Sequence, residues 1–285
     1  MKKFQSLLII CVISFFYSVN SFSQWSLNMC EYSVTEAKKQ KIKSVKVFIE
    51  EKNESKLYYI FNYDYINNEI EKLDGYFLIP RSKIKYDSKG NHLSGIFLFG
   101  DLINAIDSSV YIYDDDSLLV KYYYYDRDEE DIKANLPSKL IYTEAYEYNG
   151  DKKIVKKTRW DNDVTIELTT LYIYDNSGIM TGGEIYDGNN NLYQLLFCDA
   201  KGNVIKTEIQ DPGIYGLSVK YYEFKYNSKN QQDYSAGYDI SNNLIFKNED
   251  HLNMTGLVGE TINTQRETNG ELIITRISYE YEFEE

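Results

Sequence analysis

The sequence predicts an all-β fold: repeated antiparallel β-hairpins forming a long twisted sheet, solenoid-like or partly closed, after a short N-terminal helix. Three observations carry this prediction. First, seven stretches place an aromatic residue before Asp or Asn, with Gly, Asn or Ser three residues later: 86–90, 113–117, 174–178, 186–190, 226–230, 238–242 and a variant at 198–202 that begins with Cys198. Positions 174, 186 and 198 are twelve residues apart, as are 226 and 238, and a fixed step of this kind is the mark of a repeat architecture. Second, apolar and polar residues alternate with period two. Third, tyrosine, a good strand former, fills 29 of 285 positions, and the three prolines stay clear of clean strand patterns.

At the N-terminus, Lys2 and Lys3 precede an apolar run from Leu7 to Phe16, followed by small and polar residues up to Gln24. This is the pattern of a secretory signal peptide over residues 1–23, too short for a membrane span. Cys11 fits a lipidated cysteine poorly, because Ile9 and Ile10 stand where a small residue is needed. The expected location is therefore the periplasm, the cell surface or the exterior, with no membrane span after cleavage. Losing Lys2 and Lys3 takes the formal net charge from −13 to −15. A chain this acidic is repelled by nucleic acid and by anionic lipid, so neither is an expected partner.

Residues 24–43 form the predicted helical segment. Ser33-Val34-Thr35-Glu36 reads as a capping box ahead of good helix formers. A repeat domain over 44–285 follows, opening with a strand at 44–50. Residues 62–75 fit two patterns. Ile66, Ile70 and Leu73 lie at helical spacing, whereas Tyr63-Asp64 resembles the repeat. Beyond Ile84 no helix is expected. In 164–174, Val164, Ile166, Leu168, Thr170, Tyr172 and Tyr174 are predicted to share one face. Near the C-terminus Ile273, Thr275, Ile277, Tyr279, Tyr281 and Phe283 oppose a charged face.

Turn chemistry accounts for the motif. Asp at the first position of a type I turn accepts hydrogen bonds from the backbone just ahead of it, and Gly or Asn three residues on tolerates the left-handed conformation that closes the hairpin. The predicted turn formers are Asp87, Gly90, Asp175, Gly178, Asp187, Asp199, Gly202 and Asp239. Asn149 and Asp161 head weaker copies.

The Tyr-Asp-x-x-Gly-Asn unit at 86–91 and its Cys-led variant at 198–203 resemble the YD repeats of RHS-type proteins and the tyrosine-rich repeats of secreted proteins from Bacteroidetes-type bacteria. The resemblance implies long β-sheets. In RHS-type proteins such sheets wrap a toxin, and other YD-containing proteins bind carbohydrate. This chain is short for enclosing a passenger, and its Asp-Pro-Gly lies mid-chain at 211–213. A structural or toxin-associated repeat element is the alternative that the resemblance implies.

Chemistry-bearing residues are sparse. His92 and His251 are the two histidines, both read as solvated, and no nucleophile elbow, zinc motif or phosphate loop is present. A carboxylate pair for glycoside hydrolysis could not be singled out among the acidic residues, so an enzyme is not expected and no cofactor is implied. Asp126, Asp128 and Glu130 form a weak calcium candidate without the glycine and closing glutamate of a helix-loop-helix site. Cys30 and Cys198 admit two readings, a disulfide or a buried thiol in the tyrosine slot. Consecutive tyrosines must point to both faces of a strand. Tyr122, Tyr123, Tyr124, Tyr221 and Tyr222 are therefore the candidates for exposed rings binding a glycan or protein partner, against the alternative of cross-strand packing.

Overall fold

The structure is a computed structural model, and it describes residues 34–51, 54–74, 80–89, 91–97, 107–127, 131, 137–213, 219–253, 257–266 and 270–283. The predicted signal peptide with Cys11, and also Cys30, Gly90, Asp128 and Glu130, lie outside the described residues. Among the described residues, helix α1 (Val34–Lys39) is followed by eighteen strands. Lys41, at φ 58°, turns the chain from α1 into β1. The strands are β1 (Ile42–Glu51), β2 (Glu54–Asp64), β3 (Glu69–Asp74), β4 (Pro80–Tyr86), β5 (His92–Phe97) and β6 (Asp107–Tyr113). Next come β7 (Leu119–Asp126), β8 (Lys139–Tyr148), β9 (Ile154–Asp161), β10 (Thr165–Tyr174), β11 (Met180–Asp187) and β12 (Leu192–Cys198). The last are β13 (Val204–Ile209), β14 (Tyr221–Tyr226), β15 (Gln232–Tyr238), β16 (Leu244–Leu252), β17 (Val258–Arg266) and β18 (Leu272–Phe283). The fold is all-β and antiparallel.

The chain divides into two compact units, one of residues 1–61 with 208–285 and the other of residues 62–207. In the first, β1 pairs with both β2 and β18, and β18 with both β17 and β1. β1 and β18, the first and last described strands, are thus both interior to this unit, a finer arrangement than the solenoid-like or partly closed sheet that the sequence predicts. Register puts Val45, Val47 and Ile49 opposite Tyr281, Tyr279 and Ile277. Val45 and Val47 are fully buried, and on the other face Glu282 accepts from Lys43 Nζ at 2.9 Å and Ser44 Oγ at 3.0 Å. The C-terminal alternation holds at Ile277 and Tyr279, which are buried, but Ile273 and Phe283 are exposed.

The second unit is a meander in which β3 through β12 pair in sequence order. Residues 62–74 form strand, turn and strand rather than a helix: Asp64 Oδ1 accepts from the amides of Ile66 and Asn67, and Asn68 sits at φ 53°. The predicted common face of 164–174 is broken. Val164 lies in a turn where Asn162 and Asp163 both have positive φ, the signature of a two-residue type I′ hairpin. A bulge at Glu167 then pairs Ile166 with Trp160 but Leu168 with Arg159, so Ile166 and Leu168 face opposite ways.

Among the described residues, the turns of the repeat follow one plan. Asp175 Oδ1 accepts from the amides of Ser177 and Ile179, while Gly178 N–H donates to the Asp175 carbonyl and adopts φ 78°. The same bonds recur at Asp187, Asp199, Asn227 and Asp239, with positive φ at Asn190, Gly202, Asn230 and Asn242. Asp87 makes both side-chain bonds as well. Ser117 and Lys152 adopt the left-handed conformation in the sister turns, although neither favours it. An asparagine four residues after the aspartate closes the ring of bonds: Nδ2 of Asn91, Asn191, Asn203 and Asn243 donates to the second carboxylate oxygen at 2.8, 3.1, 3.0 and 2.9 Å.

The tyrosine of the motif has a second task. Tyr148 Oη donates to the carbonyl of Leu119 and Tyr174 Oη to that of Ile154, each at 2.8 Å. In each case the acceptor lies five residues after the Asx of the preceding turn at the same end of the sheet, so the hydroxyl ties neighbouring hairpins together. Cys198 occupies this slot without a hydroxyl. Replacing Tyr148 or Tyr174 with Phe is expected to lower stability by about 1 kcal/mol each. Denaturant unfolding of the single and double variants measures this, with near-additive losses expected.

Candidate functional site on a tyrosine-rich sheet

Strand alternation sorts the candidate tyrosines. On β7, Tyr122 and Tyr124 share a face, opposite Glu144 and Tyr142 of β8. Tyr122 packs between Tyr111 (4.7 Å between centroids) and Tyr142 (5.7 Å), and Tyr124 lies 5.1 Å from Tyr142. Burial pushes the Tyr122 hydroxyl well above the ordinary tyrosine pKa. In the first unit Tyr221 stacks on Tyr238 at 4.8 Å. Tyr222 tilts against Phe246 at 5.9 Å, and burial raises its pKa to about 12. Gly237 leaves room for Phe246, whose ring would lie 2.4 Å from a Cβ there. These four rings are engaged in packing within the sheet.

Tyr123 points the other way. With Tyr125, whose ring centroid is 6.4 Å away, and Lys121, whose Nζ donates to Tyr123 Oη at 3.4 Å, it lies on the opposite face of β7. Register places Val110 and Ile112 of β6 beside Tyr123 and Lys121, and Ile96 of β5 lies on the same face. All three aliphatic residues are exposed, at 39, 42 and 39%. This is an accessible apolar and aromatic face.

The packed face carries charges that the sequence did not single out. Glu144, Lys157 and Arg159 are 3, 5 and 2% exposed. Lys157 Nζ lies 3.1 Å from Glu144, which also accepts from Tyr146 Oη at 2.6 Å. The Arg159 guanidinium sits 3.7 Å above the Tyr142 ring, and its Nε comes within 2.9 Å of Glu167 without lining up a hydrogen bond. A buried pair of this kind adds little net stability, yet removing one partner costs about 3–5 kcal/mol because the other charge is stranded. The available signal was alternation itself: Glu144 stands between Tyr142 and Tyr146, which point the same way.

Two further groups correct or extend the sequence reading. His92 is not solvated. It stacks between Tyr86 (5.2 Å) and Tyr111 (4.2 Å), and burial lowers its pKa to about 4. In the first unit Asp250 accepts from Thr261 Oγ1 at 2.6 Å, Thr261 in turn meets Tyr279 Oη at 3.1 Å, and burial raises the Asp250 pKa to about 6. Asp233, also raised by burial, is the like charge that pushes it further.

Of the calcium candidates, Asp126 ends β7 opposite Lys139, and Lys139 pairs with the buried Asp131 at 2.7 Å. Among the described residues no group of three or more His, Cys, Asp and Glu is placed to hold a metal ion. Cys198 is a half-buried free thiol, and burial raises its pKa to about 11. The turn aspartates are spoken for. The Ser177 hydroxyl and the Ile179 amide hold Asp175 below the usual carboxylate range, and the side chain and amide of Asn243 do the same for Asp239.

No family model and no curated protein matches this sequence. Among solved structures, the chain is similar to a porin-like protein from Bacteroides uniformis, at TM-score 0.42 and 10% identity over 85% of this chain and 98% of that one. It is also similar to a TcdB2-TccC3 chain, at TM-score 0.30 and 11% identity over 73% of this chain, spanning only 10% of that one. A LolA superfamily protein from Nitrosomonas europaea matches at TM-score 0.26 and 12% identity, over 85% of this chain and 84% of the other. Among the described residues no helix is long and apolar enough to cross a membrane, a statement that does not extend to strands.

The two displaced pKa values predict opposing pH effects. His92 is lowered from 6.5 to about 4, so its unfolded form binds more protons in that window and stability falls as the pH drops. Asp250 is raised from 3.8 to about 6, so its folded form holds the extra proton and stability falls as the pH rises through that window. His92→Phe, which keeps the stack, is expected to remove the acid loss, and Asp250→Asn the loss at rising pH. Denaturant midpoints at several pH values between about 4 and 7 check both signs.

Proposed function

We propose that this chain is an exported, non-catalytic β-repeat module that binds a partner, glycan or protein, on the face of β5–β7 that carries Tyr123. The observation that supports it is the division of the tyrosines. Tyr122, Tyr124, Tyr221 and Tyr222 stack on cross-strand rings, whereas Tyr123 shares its face with exposed Ile96, Val110 and Ile112. An accessible apolar patch with tyrosines and a polar rim is the composition of recognition surfaces. The turn aspartates, being committed to backbone amides, leave recognition to the strand faces.

Export is expected to yield a mature chain that begins at Gln24, recovered outside the cytoplasm and read by N-terminal sequencing. A cytoplasmic chain retaining residue 1 overturns that part. For binding, a photo-reactive aromatic residue installed at position 123 in cells is expected to cross-link to a partner, and the same residue at 122 is not. Equal adducts at both positions, or none at 123, count against the assigned face.

A further inference from the structure

Register reveals a track of aromatic side chains on alternate strands of this face. Tyr123 of β7 pairs with Thr143 of β8, and Thr143 pairs with Trp160 of β9. Thr158, two residues before Trp160 on the same face, pairs with Thr169 of β10, and Thr169 pairs with Tyr186 of β11. The order across the sheet is therefore aromatic, threonine, aromatic, threonine, aromatic. Strands about 4.8 Å apart separate successive aromatic residues by about 10–12 Å. All three rings are half-buried, so each keeps some accessible surface.

The two tyrosine rings are also held in place. Lys121 lies 5.7 Å from the centre of the Tyr123 ring and donates to its hydroxyl. Tyr186 Oη donates to Glu184 at 2.6 Å. Thr143 is fully buried between Tyr123 and Trp160, and its Oγ1 has no hydrogen-bond partner among the described residues. Rings held before binding lose little conformational freedom on binding.

We propose that Tyr123, Trp160 and Tyr186 form a platform for an extended, neutral, β-linked polysaccharide lying across the strands. In a β-1,4-linked chain every second sugar presents the same face at nearly the ring interval found here, and that C–H face packs on an aromatic ring. A peptide strand has no matching interval, because its side chains on one face repeat at about 6.8 Å. The formal net charge of −13 opposes an anionic polymer. This inference rests on the reading that the Tyr123 face binds a partner, and it names the ligand class.

The test is titration of the full mature chain with cellohexaose, cellotriose and maltohexaose, followed by calorimetry and by tryptophan emission. Cellohexaose is expected to bind, cellotriose roughly tenfold more weakly because it reaches only two of the three rings, and the curved maltohexaose no better than cellotriose. Trp160→Ala is expected to weaken cellohexaose binding by roughly tenfold or more and Tyr186→Ala by several-fold, with Tyr122→Phe unchanged. Thermal melts confirm that each variant folds, and Trp160→Phe, retaining part of the affinity, serves if the alanine variant does not. Cellohexaose binding that is absent, matched by maltohexaose, or indifferent to both Trp160→Phe and Tyr186→Ala overturns the proposal. If cellohexaose fails to bind while position 123 still cross-links to a partner, the polysaccharide is wrong and the binding face stands. If neither occurs, both fall.

Discussion

The Asx side chain at the hairpin turns of the repeat is the constraint from which the rest of this structure follows. One carboxylate oxygen accepts two backbone amides that a tight turn would otherwise leave without partners, and a following asparagine often holds the second oxygen. That ring of bonds forces a left-handed residue three positions on and, with it, a bulge where the strands rejoin, as between Ile185 and Tyr186. Register is therefore decided locally at each turn, before any long-range pairing forms. In a sheet this matters, because a slip of one residue exchanges the two faces of a strand.

Register in turn decides which chemistry faces where. On β7 it sends Tyr122 and Tyr124 to the packed face and Tyr123 and Tyr125 to the other. The buried Glu144–Lys157 pair reinforces that choice. Sliding β9 past β8 would strand both charges away from water, a far larger penalty than the small net gain from pairing them. The hydroxyls of Tyr148 and Tyr174 act across a longer interval, each joining its hairpin to a neighbour at the same end of the sheet. Cys198 shows that the architecture tolerates one missing link.

The hairpin plan was legible because its causes are local. Asp175 and Gly178 announce a turn through their own backbone preferences, and neither needs knowledge of the rest of the chain. What was not legible depends on neighbours distant in sequence. The partnership of β1 with β18 joins residues more than two hundred positions apart, as Lys43 with Glu282 illustrates. The bulge at Glu167 turns Ile166 away from Leu168, and simple alternation has no means of signalling it. His92 follows a turn and so looked solvated. It is half-buried because the rings of Tyr86 and Tyr111 stack against it from the neighbouring strands. The tyrosines were recognised as a class, but each one's role hinged on the parity of its position.

That parity also argues where recognition belongs. A turn whose carboxylate is saturated by its own amides has little left to offer a ligand, and the depressed pKa values of Asp175 and Asp239 express the same commitment. The packed face is closed by rings and by a paired Glu144. On the remaining face Val110 and Ile112 are exposed and Tyr123 is half-buried. Its aromatic residues fall on alternate strands because threonines occupy the strands between, and threonine is small enough to leave neighbouring rings accessible. A scaffold that repeats in its turns thus acquires a non-repeating surface on its strands. Change there is cheap, because exposed side chains can vary without disturbing the bonds that set the register.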